Sequence, residues 1–183
     1  MARVGSVIQI RAAGPADAVV LAELAAATFA LACPPHTTAE AIAVFVRDVL
    51  AEANFDEYLA DPGRMLFLAV DADAGLSVGY TMLVFGEPHD PEVLGAIGIH
   101  PTVELSKCYL RAESHGRHVA AALMGATLDA ARERGLRGVW LGVNQENARA
   151  IRFYEKHGFM RVGTKHFQVG DRDEDDFVLE RAL

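Results

Sequence analysis

From Val103 onward the sequence alternates between two periods: a strand-like run over Val103–Leu110, a helical stretch from about Gly116 to Arg134, a strand over Gly138–Val143 and a helix over Ala148–His157. Strand-like runs near Phe159–Val169 and Asp176–Arg181 follow. Elements in this order fold as a sheet covered by helices, because each apolar strand face must be buried against another layer. The second half of the chain therefore predicts a mixed α/β sheet.

The first half supplies the remaining layers. Val7–Ala12 reads as a strand, closed by Gly14-Pro15, which also starts an Ala- and Leu-rich helix reaching about Leu31, where Cys33-Pro34-Pro35 breaks it. Thr37-Thr38 can cap a second helix from about Ala39 to Ala51, since Ile42, Phe45, Val46 and Val49 recur at helical spacing. A short helix around Phe55–Leu59 stops at Asp61-Pro62-Gly63. Met65–Val70 and Ser77–Phe85 pair as a hairpin through Asp71–Gly75, and the Pro-containing Gly86–Pro101 segment reads as a loop. No internal repeat or linker divides the 183 residues, so one domain over 1–183 is expected.

Composition narrows the function classes. Seventeen Lys and Arg against 25 Asp and Glu give a net charge of −8, which opposes binding to nucleic acid and mildly favours a cationic ligand. Cys33 and Cys108 are too few for a disulfide framework or thiolate metal site; they suit buried thiols in a reducing cytosol. Met1–Arg11 lacks the apolar core of a secretion signal, and no apolar run reaches the ~18 residues that cross a bilayer. A cytoplasmic protein without a membrane partner is the expectation.

Two stretches carry candidate chemistry. Strand Glu104–Leu110 runs through a short turn into a helix opening near Gly116, and a helix N-terminus there would offer unsatisfied N–H groups to a pyrophosphate. Farther on, Asn147 can cap a helix that Gly158 ends, with Tyr154 packed beside Phe153. Each residue alone has an ordinary structural use.

Together they resemble the GNAT acyltransferase family, in which a phosphate-binding turn and helix precede an N-x-x-A-x-x-F-Y-x-K-x-G-F segment. Here the segment is Asn147, Ala150, Phe153, Tyr154, Lys156, Gly158 and Phe159. Thr28-Phe29, Cys33-Pro34-Pro35, the WLGV run at 140–143 and the C-terminal FQVGDRDEDDFVLERAL look like the PaiA-type spermidine/spermine N-acetyltransferases. The family's phosphate turn reads Q/R-x-x-G-x-G/A. The present His115-Gly116-Arg117-His118-Val119-Ala120 departs from it, with His118 at the first Gly position, where a β-carbon crowds the approach of phosphate. A histidine there, His115 or His118, could instead donate to the pyrophosphate.

The resemblance implies a GNAT α/β fold: a mixed, mostly antiparallel sheet of about seven strands, splayed at the fourth and fifth and flanked by helices. It implies acetyl-CoA as co-substrate, with no metal, and direct attack by an amine in a ternary complex. Cofactor contacts would come from Cys108, Tyr109 and Leu110, from His115, Gly116, Arg117, His118, Val119 and Ala120, and from Asn147, Tyr154 and Lys156. Tyr154 occupies the general-acid position, a Leu110 N–H suits the thioester oxygen, and Glu104 is the candidate base. Glu155, Asp175 and Asp176 are weaker candidates for holding remote ammonium groups, solvated surface charge being their ordinary role.

Other chemistries fit less well. His115 and His118 lack a third metal ligand at a recognisable spacing, and Asp171–Asp175 begins like a calcium loop but meets Asp176 where glycine is needed. Cys108 has no base partner, and the neighbouring Lys107 points to the other strand face. The acceptor could be a polyamine, a protein N-terminus, a lysine side chain or an aminoglycoside. A noncatalytic acyl-CoA-binding module is the alternative of another class, and a homodimer is common in the resembled family.

Overall fold

The computed structural model describes residues 7–114, 118–169 and 172–183. Seven strands, β1 (Ile8–Ala12), β2 (Arg64–Asp71), β3 (Leu76–Phe85), β4 (Thr102–Leu110), β5 (Gly138–Asn144), β6 (Met160–Val169) and β7 (Arg172–Ala182), form one sheet in the order β1-β2-β3-β4-β5-β7-β6. All neighbours are antiparallel except β4 and β5, which are parallel.

The helices are α1 (Ala18–Thr28), α2 (Ala39–Val49), α3 (Glu52–Ala60), α4 (Pro91–Ala96), α5 (Val119–Glu133) and α6 (Ala148–Lys156). Thr38 caps α2 as its sequence predicts, accepting from the Ala41 N–H at 3.1 Å. Helix α4 corrects the expectation of a loop over Gly86–Pro101. Asp90 caps it and Pro91 opens it, and its six residues are too few to show a helical period; Val93 and Ile97 pack on Trp140 and Val178.

Two cores sandwich the sheet. Helices α1–α3 cover one face through Leu21, Leu24 and Phe55 against Leu68, Tyr80 and Met82. Helices α5 and α6 cover the other through Met124, Leu128 and Tyr154 against Leu83, Leu105 and Leu141. A buried hydroxyl pair, Thr81 to Thr127 at 2.7 Å, pins α5 to β3. Glu180, also buried, accepts from the Gly98 and Ile99 N–H groups at 3.0 and 2.8 Å and so ties the segment leading into β4 to β7.

Two irregularities shape the centre of the sheet. Strand β4 pairs with β5 only over Thr102–Glu104, although it pairs with β3 as far as Leu110. Its register on β3 also slips by one residue: Leu105 faces Leu83, but Lys107 faces Met82, so Ser106 is an extra residue in a bulge. Side chains alternate along a regular strand, which would set Glu104 and Lys107 on opposite faces. The bulge puts both on the α1–α3 face, with Tyr109.

Candidate active site

The splay leaves an edge of β4 unpaired. Arg111 N–H bonds back to Val78 on β3 at 2.9 Å; because N–H groups alternate along a strand, those of Cys108 and Leu110 point the other way, into the gap beside β5. Two clefts meet there. One, of about 190 Å³, is lined by Thr28, Leu31, Leu110, Ala120 and Phe153, and the other, of about 350 Å³, by Phe45, Glu104, Lys107, Lys165 and Asp176. Cys108, Tyr109, Asn147 and Tyr154 line both.

Tyr154 reaches this junction because α6 is held at both ends. Asn147 caps it, accepting from the Ala150 N–H at 3.1 Å, and Gly158 ends it at φ 81°, in the left-handed region that suits glycine. The Tyr154 hydroxyl bonds with the Cys108 thiol, and burial holds its pKa well above 10, so the phenol keeps its proton at neutral pH. Burial likewise pushes the Cys108 thiol up to about 12, the wrong direction for a nucleophile.

The wider cleft is charged. Burial raises the pKa of Glu104, against the pull of Lys165 and Lys107. It draws Lys107 down to about 8, which leaves the ammonium charged at neutral pH. Asp176 corrects the expectation of a solvated surface carboxylate: it is 6% exposed, its Oδ1 has no hydrogen-bond partner among the described residues, and burial raises it to about 6 although Lys165 opposes the shift. Asp175 is exposed instead. Gly142 makes room on β5 for this pair, since a Cβ there would lie 2.5 Å from Lys165 Cε and 3.1 Å from Asp176 Oδ2. At the rim, His36 sits 2.8 Å from Glu174 and 3.7 Å from Glu146.

The phosphate-turn residues divide. His115, Gly116 and Arg117 lie outside the described residues. His118 stands just before α5 at φ 62°, the one described residue other than glycine with positive φ, in the position where the resembled pattern has glycine. The first helical bond runs from Ala122 N–H to His118 O at 3.0 Å, leaving the Val119, Ala120 and Ala121 N–H groups without partners inside the helix. This helix end fits an anionic pyrophosphate, and Ala120 borders the narrower cleft, while the Val119 side chain is spent on the core. Lys156 is exposed at the last turn of α6 and lines neither cleft, and Glu155 is exposed beside it. Among the described residues no group of three or more His, Cys, Asp or Glu could hold a metal ion.

The pattern of the acetyltransferase (GNAT) family matches residues 29–159, most of the chain. The chain belongs to the GNAT acetyltransferase family. It is an acetyl-CoA-dependent N-acetyltransferase. An uncharacterised N-acetyltransferase of Mycobacterium tuberculosis is 47% identical over 167 residues, 91% of this chain and 98% of the relative. Among solved structures, the PaiA N-acetyltransferase of Thermoplasma acidophilum in complex with coenzyme A superposes with a TM-score of 0.77 at 19% identity, covering 97% of this chain and 99% of the other. Arabidopsis thaliana NAA60 in complex with a bisubstrate analogue gives 0.71 at 17%, covering 96% and 98%. These two likenesses show the fold. No helix among the described residues of this acetyltransferase is long and apolar enough to cross a membrane.

Lys107, Lys165 and Gly142 are cleft residues that the sequence reading passed over, and Asp176, a weaker candidate there, turns inward. Lys107 depends on a bulge that no residue type announces. The signal for Asp176 is periodicity: Asp176, Val178 and Glu180 alternate with Phe177 and Leu179, so one face of β7 mixes two carboxylates with a buried valine.

Proposed function

We propose that this acetyltransferase delivers the acetyl group to a primary amine seated in the Glu104 cleft, by direct attack without an acyl-enzyme. The observation that carries the reading is the protonated Tyr154 hydroxyl at the junction of two clefts, beside the open edge of β4. Acetyl-CoA, when bound, supplies the thioester; Ala120 and the start of α5 would hold its pyrophosphate, and Cys108, Tyr109 and Leu110 its pantetheine arm.

A free amine with a pKa of about 10 arrives protonated. Glu104, whose burial increases its hold on protons, takes that proton directly or through a water. The amine nitrogen bonds to the acetyl carbon as the carbon–sulfur bond breaks. The Leu110 N–H, fixed by the β4 backbone, meets charge developing on the thioester oxygen. Tyr154 gives its proton to the departing sulfur, and the phenolate so formed takes up the second proton, which the nitrogen sheds as it becomes an amide. Asp176 faces the incoming ammonium as a second carboxylate.

A polyamine is the acceptor that the resemblance suggests. Glu104 and Asp176 favour a cationic acceptor, whereas Lys107 and Lys165 in the same cleft oppose a second ammonium close by. We assign the enzyme to the cytoplasm because its two free cysteines suit a reducing compartment. The test is thiol release from acetyl-CoA across a panel of polyamines, amino acids, peptides and aminoglycosides. Tyr154→Phe is expected to lower kcat roughly 100- to 10,000-fold with acetyl-CoA affinity retained. Unchanged kcat removes Tyr154 as the acid; acetyl-CoA binding without release by any amine favours the noncatalytic alternative.

A further inference from the structure

Among the described residues, one cation of the wider cleft has no anion in direct contact. Lys107 lines it, yet among the described residues no carboxylate or carbonyl oxygen lies within hydrogen-bond or ion-pair reach of its ammonium. Its recorded neighbour is the Tyr58 ring, with Nζ 5.5 Å from the centroid. That ring is a fixed platform, since the Tyr58 hydroxyl donates to Val49 O at 3.0 Å, and Arg64 packs on it at 4.7 Å. Glu104 attracts Lys107 from farther away, while Arg64 repels it. Withdrawing an ammonium from water without a counter-ion is costly, and a ring face offsets only part of that. A ligand bearing a negative charge would complete the site.

We propose that the acceptor carries a carboxylate as well as its primary amine, and that Lys107 holds the carboxylate while Glu104 and Asp176 face the amine. The inference rests on the reading of this cleft as the acceptor site. Glu104 and Lys107 lie three residues apart on β4, on one face because of the bulge, so their Cα atoms are at most about 10 Å apart at a strand's rise per residue. That span suits a free amino acid, whose two charged groups are a few bonds apart. It suits a polyamine poorly, because a second ammonium would meet Lys107.

The assay follows thiol release with matched acceptors: an amino acid, the same amino acid as its carboxamide, and spermidine. Wild type is expected to use the carboxylate form with a KM roughly 10- to 100-fold below that of the carboxamide. Lys107→Met is expected to remove that preference by raising KM for the carboxylate form while leaving the carboxamide's KM and the kcat of both within a few-fold. Lys107→Arg is expected to restore part of it. Equal use of carboxylate and carboxamide by wild type, or spermidine as the best acceptor, overturns the inference but leaves the acetyl-transfer reading intact. Equal losses with both forms in Lys107→Met overturn it too. No release with any amine, despite acetyl-CoA binding, brings down the acceptor-site reading and this inference together. The wild-type comparison needs no variant, so a misfolded Lys107→Met does not protect the idea.

Discussion

The inward placement of Asp176 carries a measurable loss of stability. Its carboxyl has an ordinary pKa of 3.8 and is raised to about 6 in the fold, chiefly by burial. The folded state therefore holds this proton more tightly than the unfolded chain does, and stability is lost as pH rises from about 4 to about 6. At about 1.4 kcal/mol per pH unit, the loss is complete above pH 7 and amounts to about 3 kcal/mol. Asp176→Asn keeps the shape without the charge. It should match wild type in stability at pH 4 and exceed it by about 3 kcal/mol at pH 8, roughly 6 to 12 °C in Tm for a chain of this size. Urea unfolding at both pH values reads the difference, and thiol release with an amine should fall in the same variant. A stability gap between the two proteins that does not change with pH would refute the burial argument, as would a variant less stable than wild type at pH 8.

Glu104→Gln should lower kcat roughly 100- to 10,000-fold and remove an acidic limb from the kcat/KM profile. In wild type that limb should lie above the ordinary carboxylate range, because burial raises Glu104 and the base works only when deprotonated; a limb that survives in Glu104→Gln assigns the proton elsewhere. His118→Gly should stabilise the fold by about 1 kcal/mol, since a left-handed backbone costs a residue with a β-carbon about 1–2 kcal/mol, partly offset by the greater freedom of glycine in the unfolded chain. Thermal melting checks it, and a lower Tm for the variant removes the strain argument.

How much of this was legible depended on whether the information was local. The β2–β3 hairpin, the Thr38 and Asn147 caps and the Gly158 stop are written in neighbouring residues, and the structure has them where the sequence puts them. Tyr154 was legible for the same reason, as one position in a closely spaced segment. Helix α4 was not, because six residues between prolines and glycines show no period. Lys107 and Asp176 were hidden differently. Alternation is counted from a strand's start, and one inserted residue reverses every later assignment; that Lys107 shares a face with Glu104 is therefore not legible without the bulge. Asp176 sits in an acidic run whose composition reads as solvent-facing, and only pairing with β5 turns it inward.

The bulge and the splay are best understood as one feature. Pairing between β4 and β5 ends at Glu104, and the extra residue, Ser106, lies two positions farther along the same strand. A bulge bends its strand and increases its local twist, so β4 must leave the direction of β5 at that point. A single inserted residue thus accounts for three properties of the site. The β4 amides at Cys108 and Leu110 are left unpaired, a gap opens beside them where Tyr154 meets the Cys108 thiol, and Glu104 and Lys107 come to share a face. Deleting Ser106 would remove the bulge and with it the unpaired amides and the gap, while Lys107, then two positions after Glu104, would keep to the same face. Such a variant should lose stability and amine transfer together, whereas side-chain changes at Ser106, which leave the backbone count intact, should alter neither by more than a small amount.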